Sequence, residues 1–394
     1  MRQAAELYGH LATVDPAAPM PRRGLALALN GLGNLANDLG RPTDAEASFR
    51  KAIALLGDLM HDHPGVAEYR SGQATARNSL ADLLRRLGRP AEAMASWERA
   101  LAAFEVLARD HPDVARYRAE VARVAHNLGT IQSEVGRPAE AMASYRRAAG
   151  LREALVRDHP DVPSYRGVLA GTYNNLGNLL RDAGKPSEAR HAFEQAVAIN
   201  ERIARDHPDV AEYRSSLASH LANLGFLLAQ IGRESDALPT IRRAATLQES
   251  LVRDYPDVID YRRSLASSLV GLGSLQRQAG KESDALRSLR RALELWEPLM
   301  LVQPNDLYNR ACAHAQCRAL IGRGRAALSP EEEAERESHG ERAMAALRRA
   351  LAAGFAAPAW LSQDPDLDSL RPRDDFRALM MDLVFPADPF VRDK

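Results

Sequence analysis

The stretch RDHPDV at residues 109–114 recurs letter for letter at 157–162 and 205–210. Near copies, HDHPGV and RDYPDV, stand at 61–66 and 253–258, so the five phrases are spaced by 48 residues. A fixed period of this kind is typical of a repeat array. It therefore outweighs the two or three globular domains that a length of 394 residues would otherwise suggest.

A second anchor, Leu-Gly or a close relative, follows the same period. It stands at Leu32-Gly33, Leu80-Ala81, Leu128-Gly129, Leu176-Gly177, Leu224-Gly225 and Leu272-Gly273. After each anchor comes a turn such as GRPAEA, found at 88–93 and 136–141. Glycine suits the left-handed residue that ends a helix, and proline is tolerated in a first helical turn. Each period is therefore predicted to form a helical hairpin.

Both helices of a hairpin carry an apolar stripe at helical spacing. In the unit around residue 176 the stripe of the first helix is Leu169, Tyr173, Leu176 and Leu180, and that of the second is Ala189, Phe193, Ala196 and Ile203. Neither helix can bury its stripe alone, so neighbouring hairpins must stack. The predicted fold is an all-α solenoid of stacked antiparallel helical hairpins.

The recurring set of Leu-Gly on the first helix, then Ala, a bulky residue and Ala on the second, resembles tetratricopeptide (TPR) repeats. Two of its six copies are Leu32, Gly33, Ala45, Phe49, Ala52 and Leu128, Gly129, Ala141, Tyr145, Ala148. The resemblance implies a right-handed superhelix that acts as a protein-interaction scaffold. The unit is longer than the usual 34 residues. With its His-Pro connector it is similar to the TPR tails of large bacterial serine/threonine kinases, over about residues 15–394.

The repeat frame predicts three segments. Residues 1–14 are a partial repeat helix or N-terminal cap, and 15–304 hold six repeats. Residues 305–394 are a degenerate repeat with an acidic insert, SPEEEAERES at 329–338, and a C-terminal capping helix, DDFRALMMDL at 374–383. The sequence starts within a unit, which either an irregular cap or an upstream continuation would explain.

The connector phrase itself invites two interpretations of its histidines. Its proline ends one hairpin, and the following aspartates (Asp113, Asp161, Asp209, Asp257) are predicted to cap the next helix. The histidines before that proline (His63, His111, His159, His207) could form a metal-binding or pH-sensing ladder. Tyr255 takes this place in the fifth copy, and a tyrosine cannot replace imidazole in either role. Aromatic packing between repeats is therefore favoured.

Other candidate sites are weak. Asp364, Asp366 and Asp368 match the first ligand positions of a calcium-binding loop. However, Ser369 and Asp375 stand where that loop requires Gly and Glu, so a capped turn is favoured. Cys312 and Cys317 are predicted to pack within a helix, and so few cysteines are typical of a reducing compartment. No metal or cofactor is predicted.

Composition and motifs exclude several classes of function. Lys plus Arg (52) balance Asp plus Glu (52), which disfavours nucleic-acid binding. No apolar run is long enough to cross a membrane and no export signal is visible, so a cytoplasmic location is expected. The phosphate-binding loop, the nucleophile elbow and the kinase motifs His-Arg-Asp and Asp-Phe-Gly are absent from the sequence. No enzyme activity and no catalytic residue are predicted.

Polar residues recur on the first helices, opposite the buried stripe. The predicted peptide-binding residues are Asn30, Asn34, Asn37, Asn78, Asp82, Arg85, Arg123, His126, Asn174, Asn178, Arg181 and Phe226. Asparagine is a poor helix former, so its repeated use calls for a reason. In TPR proteins this face lines the concave groove, where asparagines clamp an extended peptide. The alternative is that these amides bridge neighbouring hairpins or are simply solvated.

The sequence therefore predicts a non-catalytic scaffold that binds a protein or peptide on the concave face. The positive charge of Arg85, Arg123, Arg181 and Arg277 favours an acidic segment or a C-terminal carboxylate as the ligand. Ala222, Phe226 and Val270 make the same face apolar toward the C-terminal half. The alternative is a regulatory or substrate-docking tail of a bacterial serine/threonine kinase whose catalytic domain is absent from the chain. The sequence does not specify an oligomeric state.

Overall fold

A computed structural model of the chain describes residues 2–300, 303–355 and 361–384. All regular elements in these ranges are helical. The chain divides into two compact units, Met1–Ile199 and Asn200–Lys394, and the boundary falls within helix α9. Nine helices begin in the described part of unit 1: α1 (Arg2–Val14), α2 (Pro19–Asp38), α3 (Pro42–Asp62), α4 (Ala67–Arg86), α5 (Pro90–Asp110), α6 (Ala115–Glu134), α7 (Pro138–Asp158), α8 (Pro163–Asp182) and α9 (Pro186–Asp206).

Unit 2 continues the pattern. Its described helices are α10 (Ala211–Gln230), α11 (Glu234–Asp254), α12 (Ile259–Gln278), α13 (Glu282–Trp296), α14 (Pro304–Leu320), α15 (Pro330–Ala352), a 3-10 helix (Pro365–Leu370) and α16 (Asp374–Val384). Even-numbered helices from α2 to α14 are the first helices of hairpins, and the odd-numbered helices that follow are the second. Within each unit, the helices of a hairpin pack on each other and against the next hairpin. The predicted all-α fold of stacked antiparallel hairpins is thereby confirmed.

The Leu-Gly anchor allows the close approach of the two helices in a hairpin. A Cβ atom added to Gly177 would lie 2.7 Å from Phe193 Cδ1, closer than any normal contact. Ala189, Phe193, Ala196 and Ile203 are fully buried, as the stripe predicts. The bulky residue of the second helix therefore fills the space that the missing glycine side chain leaves.

The turn inside each hairpin also follows the prediction. Gly88 has a φ of +70°, and the following Arg89 N–H donates to Leu84 O at 2.9 Å, which closes a Schellman motif. Pro90 then occupies the first turn of α5. Local chemistry alone accounts for this geometry.

The predicted aspartate caps of the connector are wrong. The residue at the N-cap of α6 is Val114, one position later than Asp113, and it makes no side-chain capping hydrogen bond. The connector closes through its backbone instead, since Val114 N–H donates to His111 O at 3.1 Å. The equivalent residues Asp161, Asp209 and Asp257 likewise precede the valines that start the next helices. With the turn already closed by main-chain bonds, these carboxylates point to solvent.

The connector histidines pack against tyrosines. The ring of His111 lies 5.9 Å from that of Tyr117, and Tyr255 lies 6.0 Å from Tyr261. The same contact recurs at His63, His159 and His207. This is the aromatic packing that the exchange of histidine for tyrosine indicates.

At the C-terminal end the acidic stretch 329–338 is not an insert between helices. Ser329 and Glu332 form a capping box, and the acidic residues that follow make up the first turns of α15. The predicted C-terminal helix is present as α16, where Phe376 is buried. Residues 385–394 of the predicted last segment lie outside the described residues, and the three-part division of the chain stays a prediction.

Candidate functional site

The predicted peptide-binding residues occupy the surface of the first helices. We call this surface the first-helix face and define it in each unit separately. It consists of the residues two before, two after and five after the anchor leucine: Asn30, Asn34, Asn37, Asn78, Asp82, Arg85, His126, Thr130, Ser133, Asn174, Asn178 and Arg181 in unit 1, and Ala222, Phe226, Ala229, Val270, Ser274 and Arg277 in unit 2. Arg123 lies one turn before His126. Eleven of the twelve predicted residues thus belong to unit 1, and Phe226 belongs to unit 2.

Asn78 is the centre of a buried polar network. Its side-chain oxygen accepts hydrogen bonds from Trp97 Nε1 at 3.1 Å and from Asn127 Nδ2 at 3.3 Å. Its Nδ2 donates to Asp82 Oδ2 at 3.2 Å. The amide therefore joins α4, α5 and α6, and its hydrogen-bonding capacity is used inside the protein. Asn127, which the sequence analysis missed, stands one residue before an anchor leucine, and that register is the signal that could have revealed it.

His126 forms a second polar link at the next seam. Its Nδ1 lies 3.4 Å from Arg152 Nη1 and its Nε2 lies 3.4 Å from Asn175 Nδ2. Arg152 is itself buried and also donates to the hydroxyl of Thr172. Burial, and then the charge of Arg152, lower the pKa of His126 to about 4. The imidazole is therefore neutral at physiological pH and links α6 to α7 and α8.

Charged residues cluster around Asp82. Burial raises the pKa of this carboxyl, while the cations Arg123 and Arg85 oppose that shift. Arg85 pairs with Glu134 on α6 at 2.8 Å, and Arg123 pairs with Glu120 one turn away. The structure thus brings Asp82, Arg85 and Arg123 together, but both arginines already have carboxylate partners within the protein.

The remaining asparagines of unit 1 are more accessible. Asn34 is exposed, and Asn37 and Asn178 are half-buried. In contrast, Asn30 Oδ1 is buried without a hydrogen-bond partner in the described part of the chain. Asn174 is half-buried beside these residues on α8. Among the described residues, Arg181 forms an ion pair only with its sequence neighbour Asp182 at 3.0 Å, an interaction open to solvent. Of the side chains that the structure describes here, the amides of Asn34, Asn37 and Asn178 and the guanidinium of Arg181 keep donors available for a ligand.

In unit 2 four of the six positions of this face, Ala222, Phe226, Ala229 and Val270, are apolar. Ala222 and Val270 are buried, and Phe226 is half-buried. A Cβ added to Gly271 would lie 2.1 Å from Phe226 Cε1, so the ring rests directly on the backbone of α12. Phe226 therefore packs α10 against α12, and its predicted role in binding a peptide stays a prediction.

The chain's own C-terminal segment lies on the first-helix face of unit 2. Asp366 Oδ1 accepts hydrogen bonds from Ser274 Oγ at 2.6 Å and from Arg277 Nη2 at 3.2 Å. Asp364 accepts a hydrogen bond from the hydroxyl of Tyr308 and caps the 3-10 helix through the N–H of Asp366 at 2.9 Å. The aspartates thus form the capped turn that the sequence favoured.

Ser274 and Arg277 stand at the same register as Asn178 and Arg181 in unit 1. The sequence analysis counted Arg277 as part of the face but did not connect it to Asp366, 89 residues later. Within the described ranges, no three His, Cys, Asp or Glu side chains are placed to hold a metal ion. Every helix of those ranges is too short or too polar to traverse a lipid bilayer.

Comparison with solved structures supports this architecture. BtubC (BKLC) from P. vanneervenii is 21% identical, with a TM-score of 0.51, and the match covers 64% of this chain and 89% of that protein. The apo form of RapI is 13% identical, with the same TM-score of 0.51 and coverage of 83% and 97%. These likenesses concern the fold. No curated protein matches the chain.

The stacked hairpins of each unit define the class as an α-helical repeat protein. Two family models, both described as tetratricopeptide repeat, match the sequence, one over residues 25–65 and 169–209 and the other over 72–154. The chain therefore carries tetratricopeptide repeats over these residues. Repeats of this family generally mediate protein–protein interactions and are typically non-catalytic.

Proposed function

We propose that the chain is a non-catalytic scaffold whose first-helix face in unit 1 binds an extended, acidic segment of a partner protein. In a tetratricopeptide superhelix this face lines the concave side. The residues that carry the proposal are those with accessible donors, namely Asn34, Asn37, Asn178 and Arg181. Amide and guanidinium groups suit this role because they hydrogen-bond both peptide backbone and carboxylates.

The observation that carries the proposal is the placement of Asp366 on Ser274 and Arg277. It demonstrates in unit 2 how a hydrogen-bonding residue two positions after the anchor and an arginine five positions after it hold one carboxylate. Asn178 and Arg181 repeat this spacing on α8. An aspartate of a partner segment would thus find a similar pair of donors on unit 1.

The expected affinity follows from the few charged contacts. A hydrogen bond to a charged group contributes roughly 1.5–3 kcal/mol, and neutral ones roughly 0.5–1.5 kcal/mol. Three or four such contacts give about 5–7 kcal/mol, which corresponds to a dissociation constant on the order of 10–100 μM. Tighter binding would require several hairpins to act together.

A peptide with the sequence QDPDLDSL, residues 363–370, is the test ligand. We expect the labelled peptide to bind the full chain in fluorescence anisotropy, and the double variant Asn178→Ala, Arg181→Ala to bind about tenfold more weakly. Arg277→Ala should have little effect, because the tethered segment already fills that site at high effective concentration. A peptide with both Asp-Pro-Asp aspartates replaced by asparagine should lose affinity to the same extent as the double variant.

The matched control is Arg157→Ala, which removes an exposed arginine of α7 outside the first-helix face. This variant should bind the peptide as the wild type does. Equal weakening by Arg157→Ala would show that binding depends on net charge alone, and the proposal would then be wrong. The alternative of a kinase docking tail stays a prediction. It requires the kinase motifs His-Arg-Asp and Asp-Phe-Gly to lie outside this chain, and residues 1–394 contain neither.

A further inference from the structure

A groove of about 490 Å³ lies between the second helices α3 and α5, away from the first-helix face. Its lining includes Ile53, Ala54, Arg77, Ser96 and Arg99. Arg77 is half-buried on α4, and Arg99 is exposed on α5. Arg77 Nε donates a long hydrogen bond to Gln73 Oε1 at 3.5 Å, but neither arginine makes an ion pair in the described part of the chain. Two guanidinium groups without a carboxylate partner in one groove are unusual here, because most arginines of the array have one.

Comparison of the repeats indicates which carboxylate partner these arginines lack. A glutamate recurs every 48 residues in the second helices, at Glu105, Glu153, Glu201, Glu249 and Glu297. In the first copy this position is Gly57. An arginine 42 residues later pairs with the glutamate in two other copies, Arg147 with Glu105 and Arg243 with Glu201. Arg99 stands in the arginine position but has only Gly57 opposite.

Arg77 also differs from the equivalent residues of the other repeats, and the difference again makes the local charge more positive. Its counterparts on the other first helices are Leu29, Ala125, Tyr173, Leu221 and Leu269. Only Tyr173 is polar, and its hydroxyl donates to Glu153, the counterpart of Gly57. By repeat register, Arg77 and Arg99 therefore both correspond to residues that contact this carboxylate in other copies. One substitution removes a negative charge there, and another adds a positive charge.

Glu92 also lines the groove, but this carboxylate and its neighbour Glu46 are already paired with arginines. Arg89 bonds Glu46 at 2.8 Å and Glu92 at 2.6 Å, and Arg50 bonds Glu46 at 2.6 Å. This network contains two arginines and two glutamates, so it has no excess negative charge that could neutralise Arg77 and Arg99. Burial, and then the charge of Arg99, lower the pKa of Arg77, which is consistent with an uncompensated pair of cations.

We propose that this groove binds an anion through Arg77 and Arg99, and that its ligand is a phosphate group. Two guanidinium groups offer forked donors that match the several oxygens and double charge of phosphate better than a single carboxylate. The groove also has room for a phosphate carried on a larger molecule. Ser96 lies in the lining but donates its hydroxyl to Arg77 O at 2.9 Å, so it supports the backbone of α4.

The test is calorimetric titration of the full chain with inorganic phosphate at constant ionic strength. Gly57→Glu restores the carboxylate of the other copies and should make phosphate binding at least about tenfold weaker, because the new side chain occupies the site. Gly57→Gln is the matched control: it has nearly the same shape without the charge and should keep most of the affinity. A Cβ at this position meets only the flexible end of Gln73, at 3.1 Å, so both variants fit.

Two further variants use residues found elsewhere in the repeat. Arg77→Leu and Arg99→Gln should each abolish measurable binding, while Arg147→Gln, whose arginine is paired with Glu105, should not. A phosphoserine peptide provides the second arm: tighter binding than phosphate indicates a phosphorylated chain, and binding of phosphate alone indicates a small ligand. Absence of binding by both probes, or equal binding by Gly57→Glu and Gly57→Gln, would overturn the proposal. Neither result bears on peptide binding at the first-helix face.

Discussion

The first-helix faces of the two units have the same repeat period but are held together by different side chains. In unit 1 the seams contain polar groups, with Asn78 bonded to Asn127 and His126 in contact with Asn175. In unit 2 the corresponding seam is apolar, with the ring of Phe226 on Gly271. Both solutions are possible because the stripes inside the hairpins, not these seams, carry most of the apolar burial.

The difference has a consequence for what each face can bind. Unit 2 covers its polar pair, Ser274 and Arg277, with its own Asp366. In unit 1 the corresponding residues are Asn178 and Arg181, and within the part of the chain that the structure describes the sole ion-pair partner of Arg181 is the neighbouring Asp182. The same register thus holds the chain's own acidic segment in one unit and, in our proposal, a partner's segment in the other.

The largest effect is expected from breaking the polar seam at Asn78. Asn78→Ala leaves the buried N–H of Trp97 without its acceptor, and should lower the free energy of unfolding by about 2–4 kcal/mol. Urea denaturation measures this cost. In a Trp97→Phe background, where the donor is gone, the cost should shrink by at least about 1 kcal/mol. An unchanged cost in that background would mean that the hydrogen bond does not hold the seam.

A smaller effect is expected at the apolar seam. Gly271→Ala places a methyl group against Phe226 and should cost about 1–2 kcal/mol in thermal or urea unfolding. Gly171→Ala is the control from unit 1, because nothing lies within 4 Å of its added Cβ and the helix gains about 0.5–1 kcal/mol. Phe226→Ala should remove the penalty of Gly271→Ala. Persistence of that penalty would show that the ring is not its cause.

The smallest expected effect is a pH dependence of stability, which the polar seam at His126 should cause and the apolar seam should not. The pKa of His126 is about 4 in the folded chain against 6.5 as the ordinary value. As the pH falls below 6.5 the unfolded chain takes up this proton first, so the stability from the neutral ring is complete above pH 6.5 and is lost toward pH 4. The loss should be on the order of 1–2 kcal/mol, since the ring is partly solvated.

The variant His126→Asn tests this contribution. Asparagine is the residue at the equivalent position of three other repeats, namely Asn30, Asn78 and Asn174. Urea midpoints from pH 7 to pH 4 should decline less steeply in the variant than in the wild type. Parallel curves for the two proteins would show that the ring is not held neutral by burial and Arg152.

The fold was largely predictable from particular residues, and the candidate site only in part. Gly88 and Pro90 determine their turn through local backbone preferences, which the sequence displays directly. The failed cap at Asp113 has a different origin, since one hydrogen bond of the connector backbone decided which residue begins α6. For the site, residue type and register identified the face. They could not show that Asn78 is internal while Asn34 is exposed.

By itself the sequence determined the hairpin, its period and the surface on which polar residues collect, because helix stripes, turn glycines and a repeated register are local or periodic properties. Only the tertiary structure decided which polar groups on that surface are satisfied internally. Hydrogen bonds such as Asn78 to Asn127 and Asp366 to Arg277 join residues 49 and 89 positions apart. Pairings of that length depend on how the hairpins pack, and no local pattern records them.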